Sequence, residues 1–207
     1  MSRINLSETF QTPFSLLGTI PVIIIPALIA SIVGLALPLG ARGVLLQGLH
    51  WMVFVFAVVS YIVTLFAMAW ITLMLQDHME GRKVSLQESW VQLSGKMGNV
   101  AVTLIIVSVI VSLGTFLFLI PGLLLAALLL MSIPHSAQRN SAFDKSIQFS
   151  FRFLFSEFNF FPVLLIVLVG FLLQLIPFIG LFMGNLFISI WIPYAYLKYG
   201  GKESQPA

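Results

Sequence analysis

Only one short stretch of this 207-residue chain gathers side chains that bind metals or move protons: Asp77-His78-Met79-Glu80. Metal ligands must converge on one point, and this spacing matches no such site, so the stretch reads as a solvated turn. His50 and His135 stand alone. The chain has no cysteine, which removes thiolate chemistry, disulfides and cysteine-ligated metal. It also has no G-x-S-x-G elbow, phosphate-binding glycine loop or dinucleotide fingerprint, so a nucleophile, phosphate or cofactor has no anchor. No catalytic residue, metal or cofactor is assigned, and a non-enzyme is expected.

The remaining polar chemistry is uncharged and set in apolar surroundings. Gln174 and Asn185 flank the turn between the last two apolar runs, where their amides can bond across the turn. Ser60, Thr64, Ser108 and Ser112 lie within other runs. Such groups more often tie helices together, at about 1 kcal/mol each, than bind a ligand. No apolar run holds Asp, Glu, Lys or Arg in its core, which argues against a proton-coupled carrier or an intramembrane acid protease. Gly180 and Gly184 form a G-x-x-x-G pair, and Ala30 with Gly34 is a similar small pair. Both let helices approach closely, within the chain in the simpler reading or between copies in a homo-oligomer.

The elements that position these groups follow from composition. With 59% hydrophobic residues and 8% charged, the chain lacks the polar skin of a soluble domain. It reads as an all-α integral membrane protein forming one transmembrane domain over 1–207. Six spans are expected at about 14–37, 44–75, 100–119, 121–137, 160–176 and 179–197, paired as three hairpins. They leave no room within these residues for a soluble catalytic domain. Pro21 and Pro26 should kink the first span. That span is too long for a secretory h-region and lacks an A-x-A site, so it is expected to stay. Pro38-Leu39-Gly40 ends it. Trp51 and Trp70 are nineteen residues apart, about 28 Å of helix, which sets an indole at each membrane interface. Turns are expected at Ile120-Pro121-Gly122 and at Pro177-Phe178-Ile179-Gly180, and Trp191, Tyr194, Tyr196 and Tyr199 as an inner aromatic belt.

Charge supplies the orientation. Of the ten lysines and arginines, Arg3, Arg82, Lys83, Lys96, Arg139, Lys145, Arg152, Lys198 and Lys202 occupy alternate gaps, while the other gaps hold only Arg42. Basic residues stay on the cytoplasmic side, so both ends should be cytoplasmic, in the inner membrane of a prokaryote. The net charge of +3 then points to anionic inner-leaflet lipid and not to nucleic acid.

Two of the basic gaps carry helical periodicity. Over 85–98, Leu86, Trp90, Leu93 and Met97 form an apolar stripe; over 141–158, Phe143, Ile147, Phe151, Leu154 and Phe158 do. Both segments read as amphipathic cytoplasmic helices in the interface, capped by Ser85 and Ser141, with Glu88 completing a capping box on Ser85. They align at an offset of 56: Ser85 with Ser141, Gln92 with Gln148, Lys96 with Arg152, and Ile120-Pro121 with Ile176-Pro177. Leu6 to Phe10 echoes Leu86 to Trp90, so a parallel internal repeat of three units is expected.

Ser-Leu-Gln-Glu-Ser-Trp at 85–90, Leu-Ile-Pro-Gly at 119–122 and the second amphipathic segment resemble a poorly characterised prokaryotic multi-pass family. That family is similar to the membrane domain of glycerophosphoryl diester phosphodiesterases. The resemblance covers about 85–199 and implies the architecture; the phosphodiesterase chemistry belongs to a separate barrel that these residues do not contain. The expected role is lipid interaction, membrane organisation or binding of a membrane-protein partner. Arg82, Lys83, Trp90, Lys96, Lys145 and Arg152 are the candidate lipid or interface contacts, and Gly180, Gly184, Gln174 and Asn185 the candidate packing residues. The alternative is a transporter or channel for a small neutral or lipophilic solute, which a polar cavity near Gln174 and Asn185 would favour.

Overall fold

The computed structural model describes residues 1–34, 50–176 and 179–200, with the side chains of His50 and Leu181 left aside. Several expectations lie outside the described residues: the end of the first span and the start of the second, Pro38-Leu39-Gly40, Arg42, the Pro177-Phe178 turn and Lys202. Among the described residues every regular element is helical.

Helix α1 (Leu6–Thr19) is capped by Asn5, whose side-chain oxygen accepts the Glu8 N–H at 3.3 Å. It stops at Ile20, where the following proline disfavours helical backbone and φ and ψ are −133° and 70°. Pro21 opens α2 (Pro21–Gly34), at a position where a missing N–H is harmless. The chain bends by 112° here. The expected span 14–37 is therefore not one helix: 14–19 belongs to α1, and Pro26 interrupts nothing. Apolar character runs through the break, so hydropathy merges two helices that point in different directions.

Helix α3 (His50–Met79) is apolar on all sides, as a buried or spanning helix must be. Its half from 65 to 77 is buried almost throughout and forms the centre of the fold. Helix α4 (Leu86–Ser94) is capped by Ser85, whose Oγ accepts the Glu88 N–H at 3.4 Å. It ends at a Gly95-Lys96 turn, so Met97 and Gly98 belong to α5 (Met97–Leu117) and not to the expected 85–98 helix. The chain then reverses at the extended residue Phe118, ahead of the expected Pro121 turn. Pro121 lies in the first turn of α6 (Leu119–Leu129), where helix N–H groups have no partner to lose.

Helix α7 (Ser132–Arg139) continues α6 after a break at Leu130-Met131. Pro134 causes the break, since it cannot donate to the Leu130 carbonyl; the Ile133 N–H does so instead, at 3.2 Å. Helix α8 (Phe143–Phe155) opens at Ala142 without a side-chain cap, one residue beyond the expected Ser141. Through the turn Ser156–Phe158 it bends by 109° into α9 (Phe160–Gln174), and α10 (Ile179–Tyr199) follows.

Three helical stretches, Trp51–Met79, Met97–Leu117 and Leu119–Arg139, are long and apolar enough to cross a membrane; the number reaches five if each bent pair is one span. Helices α5 and α6 pack side by side, as do α9 and α10, while α3 packs on α5, α7 and α10, and α6 on α9. The short helices dock around this centre: α4 on α3, α8 on α6 and α7, and α1 on α10.

Candidate functional site

The three short docked helices share a construction. The fourth residue of each is a fully buried hydroxyl: Thr9 in α1, Ser89 in α4 and Ser146 in α8. Each hydroxyl donates back to a carbonyl near the start of its own helix, at Asn5, Ser85 and Ser141. Two also meet a ring nitrogen of the supporting helix. Trp70 Nε1 donates to Ser89 Oγ at 2.8 Å, and His135 Nδ1 lies 3.4 Å from Ser146 Oγ. Small hydroxyl residues let each short helix sit close, and these contacts fix its rotation.

Rotation decides what is left outside. On α8 the buried face is Ser146, Phe149, Ser150, Phe153 and Leu154, with Phe149 stacked on the His135 ring at a centroid distance of 4.4 Å. Of the expected stripe, Leu154 is buried, Phe143 and Ile147 are half-buried, and Phe151 and Phe158 are exposed. Phe155 joins them, 66% exposed and stacked on Phe151, and Phe161 extends the patch. On α4 Leu93 is buried while Trp90 stays 43% exposed, packed beside Trp70 and Phe66. Helix α8 is therefore apolar on two sides, and periodicity could not separate the side against protein from the side left open.

The basic residues divide in the same way. Arg82 Nη2 pairs with Asp77 at 2.5 Å and with Glu80 at 2.6 Å, and its Nε also donates to Asp77. Asp77 itself is buried, which corrects the reading of 77–80 as wholly solvated. Lys96 Nζ donates to the Gln138 carbonyl at 2.8 Å, at the end of α7 where the helix dipole favours a cation. Burial lowers the Lys96 pKa from its ordinary value, and the nearby Asp77 carboxylate opposes that shift. Lys83, Lys145 and Arg152 are exposed. Of the expected lipid contacts, Arg82 and Lys96 at least are engaged within the protein.

The expected inner aromatic belt is also internal. Trp191, Tyr196 and Tyr199 are buried, and Tyr196 donates to Gln138 Oε1 at 2.6 Å. Tyr194 and Tyr199 donate to the Glu8 carboxylate at 2.6 Å and 3.0 Å, and Lys198 pairs with it. Nothing in local spacing marked Glu8, or Asn159, whose buried amide holds the chain start. Asn159 Oδ1 accepts the Ile4 N–H at 2.8 Å, and its Nδ2 donates to the Ser2 carbonyl at 3.1 Å.

At the opposite end, the structure brings the expected packing residues together. Gln174 Nε2 donates to Asn185 Oδ1 at 3.0 Å, across the α9–α10 pair. A side chain on Gly184 would come within 2.6 Å of the Gly170 carbonyl, and one on Gly180 would collide with the Leu173 carbonyl and Ile176. The G-x-x-x-G is thus spent inside this hairpin, which favours packing within the chain over a homo-oligomer contact through it. Beside Gln174 and Asn185 lies a cavity of about 140 Å³, bounded also by Ser60, Tyr61 and Thr64 of α3 and by α6.

No family model matches the chain, and neither a curated protein nor a solved structure does.

Proposed function

We propose that the chain is a non-enzymatic multi-pass protein of a prokaryotic cytoplasmic membrane that binds anionic lipid of the inner leaflet through a collar of short helices. In this reading six spans form three hairpins, with α10, about 31 Å long, as the sixth. Helices α1, α4 and α8 each precede a hairpin and lie along the interface. The bends of 112° and 109° support this, because a helix turned that far from its neighbour cannot share its direction through the bilayer. The buried hydroxyl at one position of all three helices supports a parallel threefold repeat, aligned with Leu86 against Phe143 and not with Ser85 against Ser141. The likeness to the membrane domain of glycerophosphoryl diester phosphodiesterases fits that architecture.

One observation carries the lipid reading: α4 and α8 keep one face on the protein and leave aromatic side chains exposed, with exposed Lys145 and Arg152 on α8 itself and exposed Lys83 just before α4. Rings at headgroup depth with cations beside them suit anionic lipid, at about 1 kcal/mol per basic residue. The test is thermal unfolding of the detergent-purified protein with added phosphatidylglycerol or phosphatidylcholine. Phosphatidylglycerol should raise the midpoint more, and the Lys83→Gln, Lys145→Gln, Arg152→Gln variant should lose most of that difference. Equal shifts with both lipids would sink the proposal.

A further inference from the structure

The cavity lies where the hairpins meet. Its walls come from α3, α6, α9 and α10, and Tyr61 on its α3 wall is ten residues from Trp51 and nine from Trp70. At the helical rise those separations are about 15 Å and about 14 Å, so it sits midway between the two indoles. Packed interiors rarely leave voids larger than a water molecule. An enclosed apolar space of roughly 150 Å³ is enough to hold benzene, and this one, partly open to the outside, is about 140 Å³.

Its polar groups are incompletely used. The bond between Gln174 and Asn185 employs one amide N–H and one carbonyl oxygen. Among the described residues the Asn185 NH₂ and the Gln174 carbonyl oxygen make no further hydrogen bond, and neither atom is fully enclosed. Exchanging the oxygen and nitrogen assignments of both amides leaves the same surplus: one NH₂ group and one carbonyl oxygen outside the bond. Ser60 lines the facing wall. Amide groups that open onto an apolar space favour an occupant that can pair with them. Among the described residues no charged side chain borders the cavity, which favours a neutral occupant.

We infer that this cavity binds a small uncharged molecule: a compact apolar body of about one ring bearing a hydroxyl or carbonyl group that pairs with Asn185 and Gln174. A bare acyl chain end offers nothing to those amides, so the chemistry selects a polar-headed ligand. This site is independent of the lipid collar, and either can fail without the other.

The test uses the purified full-length protein and fluorine NMR of 4-fluorophenol, with fluorobenzene as the comparator lacking the hydroxyl. Saturable fluorophenol binding is expected, with fluorobenzene weaker by about fivefold, as one intramembrane hydrogen bond would give. Asn185→Leu should erase that preference. Because it also strands Gln174, the Gln174→Leu, Asn185→Leu pair serves as a second variant that removes both amides and should erase the preference while keeping the fold. Ala126→Phe, on the α6 wall, should abolish binding of both probes. Absence of saturable binding, or equal binding of both probes in the unaltered protein, would overturn the inference; the latter means the space takes only a detergent or lipid tail.

Discussion

The two ends of this helical assembly are held together by different means. At the end where α3, α7 and α10 finish, polar groups do the joining: Asp77 with Arg82, Lys96 with the Gln138 carbonyl, Glu8 with two tyrosines, and Asn159 with the chain start. At the hairpin end, close glycine contacts dominate and one amide pair spans the last hairpin. Directional bonds fix rotation and register, so the first end is specified side chain by side chain. Glycine contacts fix only separation, and they leave room for a void.

The strongest attempt to break this contrast is Gly184→Leu. Its side chain would meet backbone of α9, which cannot yield as a flexible side chain can, and a loss of about 3 kcal/mol or more is expected. Gly98→Ala, with nothing within 4 Å, should be neutral or slightly stabilising in the same unfolding assay. Equal effects would mean that close approach does not hold the hairpin end.

Asn159→Ala tests the polar end. It leaves the buried Ile4 N–H without its acceptor, a cost of about 1–3 kcal/mol, and it frees the first residues. Limited proteolysis should then cleave near the N-terminus under conditions where the unaltered chain stays intact. Unchanged resistance there would show that α1 packing alone retains the segment.

The smallest effect belongs to Lys96. Its folded pKa is lowered from 10.5, so between the folded and unfolded values the unfolded chain binds more protons. Stability should therefore rise with pH as it approaches 10.5, the penalty for the buried charge being fully present below the folded value. Lys96→Gln should flatten that rise in unfolding followed from pH 7 to pH 10.

The contrast also explains what could be read from the residues in order. Apolar runs located the long helices, because hydropathy is summed along the chain. Gln174 and Asn185 were visible as a pair because two amides beside one turn in apolar sequence have few other partners. Direction was not visible: the Ile20-Pro21 break lies inside continuous apolar sequence. Nor was the α8 rotation, since Phe149 and Phe151 are equally apolar while one is buried and the other exposed. Ser60 and Tyr61 joined the amides only through the packing of α3 against the α9–α10 pair, and Glu8 and Asn159 act on residues more than a hundred positions away. Such long-range pairing leaves no local trace.

The anchoring of Ser2 and Ile4 by Asn159, and of Ser2 by the Tyr199 carbonyl, also sets a timetable. Ser2 and Ile4 are made before Asn159 and Tyr199, so the segment leading into α1 has no anchor until both of those residues have been synthesised. Assembly therefore closes as a ring does, with residues 2–4 locked only after Asn159 is in place, and a nascent chain halted before Asn159 should be protease-sensitive at those residues.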